Sequence, residues 1–399
     1  MRFFKREEFE FSMELTLGAC SYQAADPGEA WATAGRIRDG DANGWFEGWQ
    51  ETADRVRGTA EECAAAGRRV SARSAYLRAA TYYANALYVI DATDEGSRLL
   101  PVWMAHRGCF DRFAELCDPP LEPVEIPYEG TTLPGYFMRS GPPDEPRPTV
   151  ILNNGSDGPI SAMWVQGGAA ALARGYNALA FDGPGQGASL YLQHLYFRPD
   201  WEQVVTPVVD YLLTRPDVDA KRIAITGVSQ AGYWVPRAVA FEHRIAAAVA
   251  DPGVFDVSTS WVEHLPPNMR RLLDRGEQEK FDRDIRFAEK VSKGLRAVLD
   301  FRSRPYGLSS AFETFAAVQQ YTLEGVVEQI RCPVLVLDPE HEQFWPGQSQ
   351  RLYDALQCPK TIVRFTTSEG AEGHCEPKSP LVRDQRVFDW LDATLAEAA

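Results

Sequence analysis

Between Glu122 and Phe365 the chain returns repeatedly to short apolar, β-branched runs separated by helix-patterned stretches, and that alternation restricts it to few architectures. The runs are Thr149 to Leu152, Ala178 to Phe181, Ile223 to Thr226, Ile245 to Ala250, Val334 to Leu337 and Thr361 to Phe365. Strands that are apolar on both faces need cover on both sides. The expected class is therefore α/β, a mostly parallel sheet covered by helices. Ahead of it, Glu122 to Tyr128 and Leu133 to Ser140 read as paired strands around the Glu129-Gly130-Thr131 turn.

The pattern before the sheet is different. From about Asp26 to Leu116 apolar and small residues recur at three- and four-residue spacing, strand-like runs are missing, and Gly67 and Gly96 separate the helices. No motif recurs at a fixed spacing of about 34 residues, so this is not a helical repeat. Pro119, Pro120 and Pro123 close the block. We expect residues 1–120 to form a helical accessory or cap domain and residues 121–399 an α/β domain. Within the latter, about residues 253–330 make a helical insertion rich in aromatics, including Trp261, Phe281, Tyr306, Phe315 and Tyr321. Insertions of that length inside an α/β domain are commonly lids.

Charge narrows the partners. Forty-one Lys and Arg against 56 Asp and Glu give 41 − 56 = −15, a surface that repels phosphate backbones and anionic headgroups. No apolar stretch approaches the roughly 18 residues that span a bilayer. The first residues carry basic side chains without an apolar secretory core. Neither nucleic acid nor membrane is expected as a partner, and the expected compartment is the cytoplasm. The seven cysteines form no C-x-x-C pair and read as reduced thiols. Metal-ligand spacing is absent. The glycines of Asp182-Gly183-Pro184-Gly185-Gln186-Gly187 lack the Lys-Ser/Thr ending of a phosphate loop, so no cofactor is expected.

The chemistry concentrates at Gly227-Val228-Ser229-Gln230-Ala231-Gly232, which follows a β-branched strand and opens a helix. A serine on such a sharp turn is exposed at a helix N-terminus, and small neighbours are needed because the turn packs the helix against the strand. Ala231 stands where the G-x-S-x-G pattern has its second glycine. Ser229 is the candidate nucleophile, and the backbone N–H of Gln230 one oxyanion donor. The base follows late in such chains. His374, in the polar loop Ser368 to Glu376, is the candidate; His341 competes from the loop that must supply the acid. That loop, Asp338-Pro339-Glu340-His341-Glu342-Gln343-Phe344-Trp345-Pro346, offers three carboxylates. Many hydrolases place an aspartate four residues before a proline here, a spacing that selects Glu342, with Asp338 second. Asp251 is a further alternative, otherwise capping the chain where it enters the lid. The second oxyanion donor is expected in Asn153 to Pro159, as the N–H of Ser156, with Asp157 orienting the loop through an Asx turn.

These residues resemble an α/β-hydrolase: Phe181 to Gly187, Gly227 to Gly232, and Glu342 with His374 sit where that fold places its post-strand turn, nucleophile elbow and triad. The chain also resembles the subgroup of 2,6-dihydroxypseudooxynicotine hydrolase and the fungal polyketide-shortening hydrolases of pigment synthesis, over most of its length, including the helical block with its Tyr82-Tyr83 pair. The resemblance implies hydrolysis of C–C bonds next to a carbonyl and a homodimer formed through the helical domain. The expected function is serine hydrolysis of a carbonyl bond in an aromatic or polyketide-like small molecule. Rival expectations are an esterase or amidase, a biosynthetic cyclase or acyltransferase on the same fold, and a non-catalytic binding protein.

Overall fold

The structure, a computed structural model, describes residues 2–396. Five helices come first: α1 (Glu7–Ala19), α2 (Pro27–Ala34), α3 (Ala42–Ala65), α4 (Arg69–Leu87) and α5 (Leu99–Leu116). The Asp26 side chain accepts the N–H groups of Gly28 and Glu29 at the start of α2, with Pro27 as its first residue, an N-cap in which proline forfeits only a donor that would be unpaired anyway. Helix α1 lies upstream of the block expected from the sequence. Phe9, Met13 and Thr16 on it are buried, at the three- and four-residue spacing of one helical face.

Eight strands follow: β1 (Glu122–Tyr128), β2 (Thr131–Met138), β3 (Arg147–Asn153), β4 (Asn177–Phe181), β5 (Val218–Val228), β6 (Ala247–Asp251), β7 (Val334–Pro339) and β8 (Lys360–Phe365). They form one sheet in the order β1-β2-β4-β3-β5-β6-β7-β8. The β1–β2 and β2–β4 pairs are antiparallel. All pairs from β4–β3 onward are parallel. Strand β5 is longer than its apolar run because its register slips between Arg147–Val218 and Thr149–Ile223, which brings the polar Asp219 to Arg222 stretch into the strand.

Two-residue alternation divides the inner strands between two cores, whereas β1 buries one face only. Val150 and Leu152 join a cluster that includes the helical block, whereas Ile151 between them joins the cluster on the other face. Helices α6 (Gly168–Ala173), α7 (Gly187–Tyr191), α8 (Glu202–Leu213) and α9 (Ala231–Val239) sit between strands. The insertion after β6 carries α10 (Thr259–Val262), α11 (Pro267–Asp274), α12 (Gln278–Val291), α13 (Lys293–Ser303) and α14 (Ala311–Val318). Helices α15 (Gln348–Ala355) and α16 (Pro380–Ala396) are the last helices among the described residues. The helical block is sealed to the sheet by aromatics and charge: Phe110 meets Tyr136 edge-on at 5.0 Å, Phe113 meets Trp164 at 5.1 Å, and Arg107 reaches the buried Asp182 at 3.3 Å.

Candidate active site

Strand β5 delivers the chain to Ser229, and α9 leaves from Ala231. Ser229 is left-handed, with φ of 59°, a conformation a non-glycine residue adopts only when its surroundings enforce it. The enforcement is visible. Its N–H donates to the Asp251 carbonyl at 2.6 Å. A Cβ on Gly227 would stand 2.3 Å from the Ala231 carbonyl oxygen, and one on Gly232 1.8 Å from that of Pro252. Glycine is required at both because strand, turn and helix pass too closely for a side chain. Ala231 is buried, and its methyl group fits where the pattern has glycine.

Three side chains from three separate loops meet here. Ser229 Oγ lies 2.9 Å from His374 Nε2, and His374 Nδ1 lies 2.7 Å from Glu342 Oε2. The other Glu342 oxygen accepts the N–H groups of Phe344 at 2.8 Å and Trp345 at 3.0 Å, so the carboxylate is fixed by its own loop. Asp338 points elsewhere and pairs with Arg364 on β8 at 2.5 Å. His341 is exposed, and its backbone N–H donates to the Glu372 carbonyl at 2.8 Å. His106 is a core residue bonded to the Ala80 carbonyl, its pKa lowered to about 4 by burial.

Electrostatics follow from this geometry. Burial alone would lower the His374 pKa, but the charge and hydrogen bond of Glu342 outweigh it and hold the imidazole above its ordinary value. Burial would raise Glu342, yet His374 and the two loop N–H groups hold it below its ordinary value. Phe344, Trp345 and, from α1, Phe11 surround the imidazole, with ring centroids 4.6, 5.9 and 6.2 Å away. Phe11 and Phe344 also each line a surface cleft, of about 410 Å³ and 80 Å³ respectively.

The loop after β3 lies against the serine: a Cβ on Gly155 would stand 2.8 Å from Ser229 Cβ. The Gly155 N–H is spent on the Asn154 side chain at 2.8 Å, whereas the Ser156 and Gln230 N–H groups donate to no protein acceptor among the described residues. Asn154 shapes this loop. Asp157 only accepts from the Ser156 hydroxyl at 3.1 Å, not in an Asx turn. Gln186 completes the support, donating to the Asn154 and Gly155 carbonyls at 2.7 and 2.6 Å. In the sequence the Asp182 to Gly187 run reads as a post-strand turn that lacks the ending of a phosphate loop. Its glycines signalled a tight turn, but nothing local showed that Gln186 crosses to another loop.

Among the described residues neither nitrogen of His374 has a second carboxylate as hydrogen-bond partner, so Asp251 is not its partner, and the Asp251 side chain forms no lid cap. No group of three or more His, Cys, Asp or Glu side chains is arranged to hold a metal among the described residues. No described helix is long and apolar enough to cross a membrane.

The sheet order and the positive-φ serine between β5 and α9 define a class, and the chain belongs to it: it is a member of the α/β-hydrolase family. It is similar to a hydrolase of a Fusarium species, at 31% identity over 97% of this chain and 96% of the relative. It is similar also to the 20-hydroxy-prefusarin hydrolase of Gibberella moniliformis, at 29% identity over 98% of each. An α/β-hydrolase of Xenoacremonium sinensis is 31% identical over 86% of this chain and 83% of its own length. Among solved structures, 2,6-dihydroxy-pseudo-oxynicotine hydrolase superposes with a TM-score of 0.75 at 21% identity, covering 95% of both chains. No protein-family model matches the chain.

Proposed function

We propose that the protein is a serine hydrolase that cleaves a C–C bond next to a carbonyl, or an ester, in an aromatic or polyketide-like small molecule. The observation that carries this reading is the continuous relay Glu342–His374–Ser229 ending on a strained, left-handed serine. In this account His374 Nε2 removes the Ser229 proton as Oγ attacks the substrate carbonyl. The Gln230 and Ser156 N–H groups receive the oxyanion. The carbonyl-to-leaving-group bond then breaks, and the imidazolium returns its proton to the departing enolate or alkoxide. Water, deprotonated by the same imidazole, attacks the acyl-enzyme and releases a carboxylic acid, so each turnover consumes one water.

The lid supports an aromatic substrate. Trp261 meets Tyr306 at 5.7 Å and Phe315 at 5.2 Å, both edge-on, and Arg302 lies over the Trp261 ring at 4.2 Å. The Tyr306 hydroxyl and the Gln230 side-chain nitrogen lie buried beside each other, without a fully formed hydrogen bond among the described residues, and such groups are polar anchors for a ligand. The relative that is a 20-hydroxy-prefusarin hydrolase supports a small organic molecule as substrate. We assign residues 1–120 the role of a cap, because Phe11 reaches the imidazole from α1. The exposed Trp31 and Val70 of this block suit a homodimer contact, and the cytoplasm is the assigned compartment.

The test is turnover of aromatic 1,3-diketones and aryl esters in heavy-oxygen water. One heavy oxygen per carboxylic acid formed is the expected result. A cyclised or transferred acyl product without heavy oxygen would overturn hydrolysis in favour of cyclase or acyltransferase chemistry.

A further inference from the structure

Behind His374 lies a second constellation that the serine relay does not use. Asp251 ends β6 and Glu376 follows His374 by two residues; their exposures are 4% and 0%. All four carboxyl oxygens are shut off from water and accept no hydrogen bond from another group among the described residues. The two carboxyls instead face each other at hydrogen-bonding range. Two carboxylates are both acceptors and cannot bond without a proton between them. Burying two bare charges side by side costs far more than keeping that proton. Burial accordingly raises the Asp251 pKa to about 6 and the Glu376 pKa well above its ordinary value.

The backbone joins this pair to the site. The Asp251 carbonyl accepts both the Ser229 N–H at 2.6 Å and the Cys375 thiol at 3.2 Å. Cys375 and Glu376 have φ of 56° and 48°, two consecutive left-handed residues immediately after the imidazole, a conformation that persists only where tertiary contacts over-determine it.

We propose that Asp251 and Glu376 share one proton and act as a positioning pair, holding the His374 loop in its left-handed turn and presenting one negative charge behind the imidazole. The groups facing the pair are His374 and Cys375 on the same loop, Glu342 after β7, and Arg383 on α16. Arg383 is shared with Asp384 at 2.9 Å and the Val165 carbonyl at 2.8 Å. Asp157, after β3, also acts on the imidazole. The charge would favour the imidazolium formed during turnover; that part rests on the serine-hydrolase reading, whereas the shared proton does not.

Infrared difference spectra at pH 7 test the proton directly. Wild type minus Asp251→Asn/Glu376→Gln should show both the carbonyl band of one protonated carboxyl and the bands of one carboxylate, because the double variant holds neither group. A difference spectrum lacking the protonated-carboxyl band, or lacking the carboxylate bands, would overturn the pair. The His374 imidazole titration, followed by NMR and assigned with His374→Gln, tests the charge. Asp251→Asn/Glu376→Gln should titrate lower than wild type by about half a unit or more, since removing an anion disfavours the imidazolium. An unmoved double variant would overturn the electrostatic role. If the imidazole titration moves but the acid limb of kcat/KM does not follow it, the pair stands and His374 as catalytic base falls.

Discussion

Glu342→Gln is expected to lower kcat by about 10⁴-fold on any activated ester the enzyme accepts, with the fold intact. The glutamine oxygen still accepts the Phe344 and Trp345 N–H groups, so the loop keeps its shape. Its amide N–H₂ then faces His374 Nδ1, which must become an acceptor, and the ring proton moves to Nε2. In that tautomer His374 donates to Ser229 and cannot take its proton. The acid limb of the rate profile should also move. In wild type the rate falls as pH drops through an imidazole pKa held above its ordinary value by Glu342; without that charge burial dominates, the imidazole pKa falls, and the limb shifts to lower pH. Asp338→Asn removes only the pair with Arg364, whose side chain is 56% exposed. Such pairs are worth about 1 kcal/mol or less, so kcat should stay within about threefold of wild type. Steady-state kcat for the two variants decides the matter. If Asp338→Asn is the more damaging, the acid has been assigned to the wrong carboxylate.

Deleting residues 1–117 is expected to yield no soluble, active monomer. The helical block is one core with a face of the sheet: Tyr136, Leu152, Ile160 and Met163 belong to the same continuous buried cluster as Phe110 and Phe113. Uncovering four large side chains at roughly 2 kcal/mol each comes to on the order of 8 kcal/mol, comparable to the whole 5–15 kcal/mol stability of a typical domain. Asp182, fully buried, would also lose Arg107, its one ion-pair partner among the described residues. Size-exclusion chromatography and esterase assay of residues 118–399 give the readout. A monodisperse fragment with wild-type activity would show that the block is a detachable module.

The sheet was legible because its strands are buried on both faces, which writes continuous apolar runs into the sequence. The serine turn was legible because its glycines face atoms 1.8 to 2.3 Å from any added Cβ, a demand that leaves a local mark. Spacing to Pro346 pointed to Glu342, and the structure brings that carboxylate, rather than Asp338, to His374. What escaped the sequence depends on contacts between distant segments. Helix α1 carries Glu7, Glu8 and Glu10 in its first turn and weak amphipathic contrast, so Phe11 gave no hint that it meets His374 across the fold. Gln186 and Arg107 look like ordinary surface residues until their loops and helices are packed. Asp251 and Glu376 are 125 positions apart by subtraction of their numbers, and no periodicity links them.

Fluorophosphonate labelling followed by intact-mass and peptide analysis tests the central claim most directly, because the probe needs both an activated hydroxyl and an oxyanion site. The account predicts a single adduct on Ser229, absent from Ser229→Ala and formed far more slowly in His374→Ala. An adduct that persists in Ser229→Ala, or wild-type protein that stays unlabelled, would contradict it.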